Sequence, residues 1–323
     1  MFSKLFTGLL IASAAFGLNS SAKAHSLDAP GSLLLFPYFD NSRGLDTYLT
    51  VTNTNSDFNQ NGQLFAGTVD VEFVYIDGES CLEFNRTRRL TPNDTITVST
   101  RNDNPNDPRG YVYVFAKSPT SGAAISWNWL EGDSIVSSTV DLLITNIAPV
   151  VYAAVGAQGS NTDVDGDGVR DLNGVEYAAS ANELHIPRFI ASPLSSLILV
   201  GLTGLRFTTI VNYLAYNDNE EAFSGQISFD CWDTRRLNAI SGIFTDDFLE
   251  STNDNVLETG VLGVETGWIR MVGLTAFSTA QQRSNPAFLA VRVDKLVFAS
   301  LPYGVGTNTN GDLLPIGPFY DNN

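Results

Sequence analysis

One short stretch of this chain concentrates oxygen ligands. Residues 161–177 read NTDVDGDGVRDLNGVEY, with aspartates and glycines alternating through the middle. A calcium-binding loop needs side-chain oxygens at its positions 1, 3 and 5, a turn glycine at 6, a backbone carbonyl at 7 and a side chain or water at 9. Counted from the first aspartate, those positions hold Asp163, Asp165, Asp167, Gly168, Val169 and Asp171. The spacing predicts a site for a hard divalent cation.

Over about a dozen residues this stretch resembles the calcium loops of EF-hands, dockerins and thrombospondin type 3 repeats. It departs from them at position 12, where an EF-hand has a bidentate Glu. This chain has Gly174 there, and Glu176 follows two residues later. The resemblance implies calcium as the cofactor, with Glu176 as a further ligand and an affinity of about 10⁻⁴–10⁻³ M.

The alternative interpretation of this stretch is an acidic, flexible tether. Two carboxylates ~4 Å apart repel by about 1 kcal/mol in water and by ~4 kcal/mol at an effective dielectric constant of 20. We therefore expect the loop to stay open without a cation and to fold around calcium when the ion is present.

The N-terminal residues have the pattern of an export signal. Lys4 precedes an apolar run over residues 5–18, and Ala22-Lys23-Ala24 supplies small residues at both key cleavage positions. These features are typical of a cleaved signal peptide, and the run is shorter than the ~20 residues of a membrane span. The prediction is a signal peptide over residues 1–24 and a secreted or cell-surface protein, with the periplasm as an alternative.

The charge balance limits the partners. The formal net charge is −17, and cleavage after Ala24 removes two lysines and no acid. Nucleic-acid affinity depends mainly on cationic side chains that neutralise phosphates, so we expect no nucleic-acid partner. No later segment is long and apolar enough to predict a transmembrane helix. Extracellular polysaccharide or cell-surface components remain as candidate partners, together with self-association.

The cysteines support the same location. The chain has two, Cys81 and Cys231, and both follow the predicted cleavage site. An even number of cysteines in an exported protein predicts a disulfide, whereas two buried free thiols are the alternative.

The chain also repeats itself. Segments around Asn53, Cys81 and Gly110 have partners around Asn212, Cys231 and Gly267, and each cysteine is followed by a TRRL tetrapeptide. The order of these matches is kept while their spacing varies by a few residues, as expected after a duplication with loop changes. If a two-fold axis relates the repeats, equivalent cysteines can meet near it.

Each repeat is built of short strands. In VDVEFVY (69–75) apolar and polar residues alternate, as in a half-buried strand, and Gly, Pro, Asn and Asp punctuate the intervening segments. The prediction is an all-β fold of two tandem related β-sandwich domains, jelly-roll or Ig-like, over residues 25–150 and 185–323. Residues 151–184 form the predicted Asp/Gly-rich calcium loop and linker.

Two tryptophans suggest a ligand surface. Trp127 and Trp129 are two residues apart in AISWNWL (124–130), which has the composition of a strand, so both rings would project from one face. Exposed, they would form a stacking platform for sugars; buried, they would be core residues.

Catalytic motifs are scarce. The sequence contains no G-x-S-x-G elbow, P-loop or G-x-G-x-x-G run, and the two histidines, His25 and His185, have no Cys or His at metal-ligand spacing. We expect a non-enzymatic structural or adhesive protein with a calcium-stiffened interdomain loop. The first alternative is a carbohydrate-binding protein that uses Trp127 and Trp129, and the second is a glycan-active enzyme that uses two carboxylates.

Overall fold

The structure is a computed structural model that describes residues 29–57, 67–139, 143–204, 206–217, 221–252, 265–294, 299–302 and 311–313. The predicted signal peptide lies outside these residues. The all-β prediction is confirmed: the described chain consists of antiparallel sheets with a few single-turn helices. In the described part of the chain, no helix is long and apolar enough to cross a membrane.

The N-terminal half, up to Tyr152, forms two sheets. Its elements are β1 (Leu33–Asp40), β2 (Leu45–Asn53), β3 (Val69–Asp77), β4 (Glu83–Leu90), β5 (Thr95–Ser99), α1 (Thr100–Asp103), β6 (Arg109–Lys117), β7 (Leu130–Ser138), β8 (Leu143–Asn146) and β9 (Val150–Tyr152). Sheet 1 has the order β4-β3-β6-β1-β9, and sheet 2 has the order β5-β2-β7-β8.

The C-terminal half, from Glu183, forms two further sheets. After β10 (Arg170–Leu172), its elements are β11 (Glu183–Ile190), β12 (Ser195–Gly201), β13 (Thr208–Asn217), β14 (Ala222–Phe229), β15 (Trp232–Arg236), α2 (Leu237–Ile240), a 3₁₀ turn (Gly242–Phe244), α3 (Asp246–Glu250), β16 (Thr266–Phe277), β17 (Gln282–Ser284), β18 (Phe288–Asp294) and β19 (Ala299–Pro302). Sheet 3 has the order β11-β16-β13-β14, with β17 paired to β16, and sheet 4 has the order β15-β12-β18-β19. A last strand, β20 (Gly311–Leu313), pairs with β10.

Three hydrophobic clusters connect these sheets. One cluster joins side chains of sheets 1 and 2, and a second joins sheets 3 and 4. The third, here called the central cluster, joins sheet 1 to sheet 4 and so connects the two halves. Alternation along single strands makes this possible: Leu34 and Phe36 of β1 belong to the first cluster, whereas Leu33 and Leu35 belong to the central cluster.

The segments that match in sequence do not all lie on equivalent strands of the two halves. The Gly110 and Gly267 segments lie in β6 and β16, which pair directly with β1 and β11 respectively, so this match joins equivalent strands. The two TRRL motifs, in contrast, lie at the end of β4 and in β15–α2, which occupy different sheets. Cys81 follows β3, whereas Cys231 follows β14, so the cysteines are not equivalent by strand order.

Candidate metal site and the other predicted residues

The acidic loop is attached to the central cluster on both sides. Leu172 and Tyr177, which flank its C-terminal part, are fully buried in that cluster. The Tyr177 hydroxyl lies 3.0 Å from the Thr162 hydroxyl, which ties the beginning of the loop to its end. The loop is therefore anchored at Thr162, Leu172 and Tyr177, while residues 164–167 between these anchors are exposed.

Asp and Gly residues shape the loop locally. The carboxylate of Asp163 accepts a hydrogen bond from the Gly166 N–H at 2.9 Å, and that of Asp167 accepts one from the Val169 N–H at 2.8 Å. Short bonds of this kind are how aspartate stabilises turns. Gly166 and Gly168 have φ values of 80° and 82°, a region in which a side chain would be strained.

Three carboxylates converge in this loop. Oxygens of Asp163, Asp165 and Glu176 all lie within 4.8 Å of one another, and such a group could hold a metal ion. Glu176 is 3% exposed, whereas the two aspartates are more accessible. The group therefore consists of one buried carboxylate and two that solvent reaches.

The remaining predicted ligands are placed differently. Asp167 and Asp171 do not belong to this group of carboxylates. The Asp167 carboxylate instead receives the amide of Val169, and the Asp171 carboxylate accepts a hydrogen bond from the Asn173 side chain at 3.0 Å. Asp171, at position 9 of the predicted loop, thus contributes to the turn at Asn173. Gly174 at position 12 has no side chain, and Glu176 closes the loop instead.

Glu176 closes the loop through both of its oxygens. One accepts a hydrogen bond from the Val164 N–H at 2.5 Å and the other from the Asp171 N–H at 3.2 Å. Burial raises the pKa of this carboxyl group, while the two amides and Arg170 oppose that shift. A bound cation would add a further favourable interaction with the ionised form.

Arg170 is a neighbour that the sequence pattern did not single out. Its side chain is 5% exposed, and its guanidinium group lies 3.9 Å from an Asp163 carboxylate oxygen and 5.2 Å from the centre of the Phe115 ring. Only the tertiary structure brings Phe115 of β6 under this arginine. A cation on Asp163 would compete with Arg170 for the same carboxylate.

The predicted disulfide is confirmed. Cys81 and Cys231 are bonded, with an S–S distance of 2.01 Å and a Cα–Cα distance of 5.9 Å. Both cysteines belong to the central cluster, so the bond links the two halves inside their shared core.

The two tryptophans considered as a ligand surface have different surroundings. Trp127 is 7% exposed and packs in the core, where its indole N–H donates to Asn53, whereas Trp129 is 42% exposed. The two residues lie in a tight turn in which the Trp129 N–H donates to the Trp127 carbonyl, so the two-residue alternation of a strand does not apply. Burial of one ring leaves no paired stacking surface.

The chain was also compared with known proteins. No family model, no curated protein and no solved structure matches it. Its function must therefore be argued from its own residues.

Proposed function

We propose that the protein is an exported, non-enzymatic structural or adhesive protein whose interdomain loop is stiffened by calcium. The observation that carries the proposal is the convergence of Asp163, Asp165 and Glu176 in a loop anchored by Leu172 and Tyr177 in the central cluster. A cation held there would brace the segment that connects the halves.

The donor set favours calcium over other metals. All three side chains offer carboxylate oxygens, and neither Cys nor His contributes, which disfavours zinc. Calcium accepts six to eight oxygens in flexible geometry, and backbone carbonyls and water commonly complete such a set. Magnesium requires near-ideal octahedral geometry and keeps more of its water, so we expect it to bind more weakly.

The two halves are proposed to be related β-sandwiches that arose by duplication. Strand orders β4-β3-β6-β1 and β14-β13-β16-β11 match when the strands are counted from the start of each half. The orders β5-β2-β7-β8 and β15-β12-β18-β19 match as well once the three-residue strand β17, which pairs with β16, is left out of the count. The proposed domains cover residues 25–150 and 185–323, and their inner boundaries lie two residues from the end of β9 at Tyr152 and from the start of β11 at Glu183. The disulfide is compatible with an oxidising location outside the cytoplasm.

Calcium binding can be tested by thermal unfolding in 10 mM calcium and in a chelator. At a Kd of about 10⁻⁴ M this concentration stabilises the folded state by about 2.7 kcal/mol. We expect a clear rise in Tm and slower proteolysis within residues 161–177. Equal Tm values and equal cleavage in the two buffers would refute the calcium site.

Substitutions in the loop locate the ion. Glu176→Gln keeps the acceptor for the Val164 amide but removes the charge, and it should abolish the calcium-dependent rise in Tm. Asp167→Asn is the matched control, because its side chain can still accept the Val169 amide and lies outside the converging group. If Asp167→Asn abolishes the response and Glu176→Gln does not, the converging group of Asp163, Asp165 and Glu176 is not the binding site.

The structural or adhesive role requires a cellular measurement. Fractionation of producing cells with and without calcium should show the mature protein associated with the cell surface when calcium is present. Release of the protein into the medium under both conditions would contradict an adhesive role.

A further inference from the structure

The outer face of sheet 3 carries an ordered set of polar and aromatic side chains. Strand pairing sets them in three rows across β11, β16, β13 and β14. The rows are Glu183–Val272–Asn212–Gln226, His185–Arg270–Leu214–Ser224, and Trp268–Tyr216–Ala222. Adjacent residues on these strands, such as Met271 and Tyr213, point into the core, so the alternation leaves this set on the outside.

The polar groups in these rows are held in place by one another. Arg270 donates to both carboxylate oxygens of Glu183, at 2.9 and 3.0 Å, and a His185 ring nitrogen lies 3.0 Å from the same carboxylate. The Gln226 amide donates to the Asn212 side-chain oxygen at 2.9 Å. The hydrogen bonds from Arg270 and then His185 lower the pKa of Glu183 to about 2, so it stays ionised and pairs with the guanidinium at neutral pH.

Three aromatic rings stand along one side of this face. Trp268 and Tyr216 stack with centroids 4.1 Å apart and planes 6° apart, and His185 stacks on Trp268 at 6.0 Å and 12°. All three rings are partly or largely accessible. Beside them lies a trough of about 530 Å³, lined by Asn212, Leu214, Ser224, Gln226, Arg270 and Val272.

We propose that this trough binds a neutral polysaccharide, by hydrogen bonds from the Asn212, Gln226 and Arg270 side chains to sugar hydroxyls. An amide presents a donor and an acceptor in one plane, and a guanidinium group presents paired donors, which suits adjacent hydroxyls on a sugar ring. Leu214 and Val272 supply an apolar floor for the C–H face of the ring, and the trough is large enough for a small ligand or for short chain segments.

The charge of the trough and of the whole chain favours a neutral polymer over an acidic one as the ligand. The one cation in the trough, Arg270, is already paired with Glu183, and the chain as a whole has a net charge of −17. An anionic polymer would approach a surface of its own sign without finding an uncompensated cation there. Hydroxyl-rich, uncharged chains meet no such barrier.

The face is independent of the candidate metal site. None of its residues belongs to residues 161–177, so binding should persist in a chelator. That separates a failure of this inference from a failure of the calcium proposal.

The test is affinity electrophoresis of the full chain in gels containing neutral polysaccharides (cellulose derivatives, xylan, galactan, starch) or the anionic polymers alginate and pectate. We expect retardation by at least one neutral polymer, and a loss of at least about tenfold in affinity for Arg270→Ala and for Asn212→Ala. Trp129→Ala is the matched control, since Trp129 is exposed on the other half and should leave retardation unchanged.

Folding of each variant is checked by its Tm, and Asn212→Ala alone carries the test if Arg270→Ala proves unstable. Retardation only by alginate or pectate would overturn the inference. So would the absence of retardation in all the neutral polymers, or equal losses for Trp129→Ala and the face variants.

Discussion

Asn53 and Asn212 lie in stretches that align in sequence, yet their surroundings differ completely. Asn53 is fully buried: its amide donates to the carbonyls of Gly67 and Thr91, at 2.7 and 3.0 Å, and its oxygen accepts from Trp127 at 3.1 Å. Asn212 lies on the outer face of sheet 3 and accepts one hydrogen bond from Gln226. The Asn55 N–H also donates to the Asn53 oxygen, at 3.2 Å. A buried side chain with several partners is expensive to remove, because the buried polar groups that it pairs with are left with fewer hydrogen bonds or none.

Asn53→Ala should therefore destabilise the protein strongly, by about 4 kcal/mol, since each polar group left buried and unpaired costs about 1–3 kcal/mol. Asn212→Ala, at a half-exposed position, should change the free energy of unfolding by less than about 1 kcal/mol. Denaturant unfolding followed by fluorescence measures both values. Similar losses of unfolding free energy for the two variants would contradict the stabilising role of the Asn53 hydrogen bonds.

Strands β1 and β11 share an interruption that organises their sheets. The pairing register shifts between Phe36 and Phe39 in β1 and between Ile186 and Phe189 in β11, and in each case a proline follows the first residue of the pair. Proline cannot donate to a sheet ladder, so it is tolerated at such bulges. The residue after each bulge lies opposite a glycine, Gly110 or Gly267.

These glycines allow a close approach of backbones. A Cβ at Gly110 would lie 1.9 Å from the Ile76 carbonyl oxygen, and one at Gly267 would lie 2.1 Å from that of Tyr216. Alanine at either position should force the strands apart and cost about 3 kcal/mol, at the upper end of overpacking effects.

The matched control for these substitutions is Gly242→Ala. A Cβ there meets nothing within 4 Å, so we expect a change of less than about 1 kcal/mol, with slight stabilisation from the reduced freedom of the unfolded chain. Equal Tm values for the three variants would contradict the requirement for glycine at positions 110 and 267.

At the scale of the whole molecule, the two halves are held together by their shared core. Trp232 of the C-terminal half donates from its indole to the Pro37 carbonyl at 2.9 Å, and its ring lies 6.0 Å from that of Tyr38. The neighbouring Cys231 bonds to Cys81 across the same boundary. Because the cross-link joins residues 150 positions apart, it restricts the unfolded chain over almost half of its length.

Removal of the disulfide should lower the free energy of unfolding by up to about 5 kcal/mol, the chain-entropy value for a loop of this length. Unfolding of the native protein with and without reductant measures the effect, and the double variant Cys81→Ala/Cys231→Ala repeats it without reagent. Reductant should have no effect on that variant. Identical unfolding midpoints in the oxidised and reduced native protein would contradict the expectation.

Local patterns in the sequence were enough to predict the strands, the acidic loop and the presence of a disulfide. Alternation along VDVEFVY depends only on neighbouring residues, and two cysteines in a chain whose N-terminal residues have the pattern of an export signal are enough to predict a bond. Of the residues that the spacing pattern and the resemblance name as metal ligands, Asp163, Asp165 and Glu176 converge in the structure, whereas the Asp167 carboxylate accepts a hydrogen bond from the Val169 N–H.

Tertiary structure alone decided which strands pair and which side chains become neighbours. It buried Trp127 while exposing Trp129, it set Arg170 beside Asp163 and Phe115, and it assembled Arg270, Glu183, Asn212 and Gln226 on one face from four different strands. Such contacts join residues far apart in the chain, and their formation depends on the packing of whole sheets. No local spacing rule contains that information.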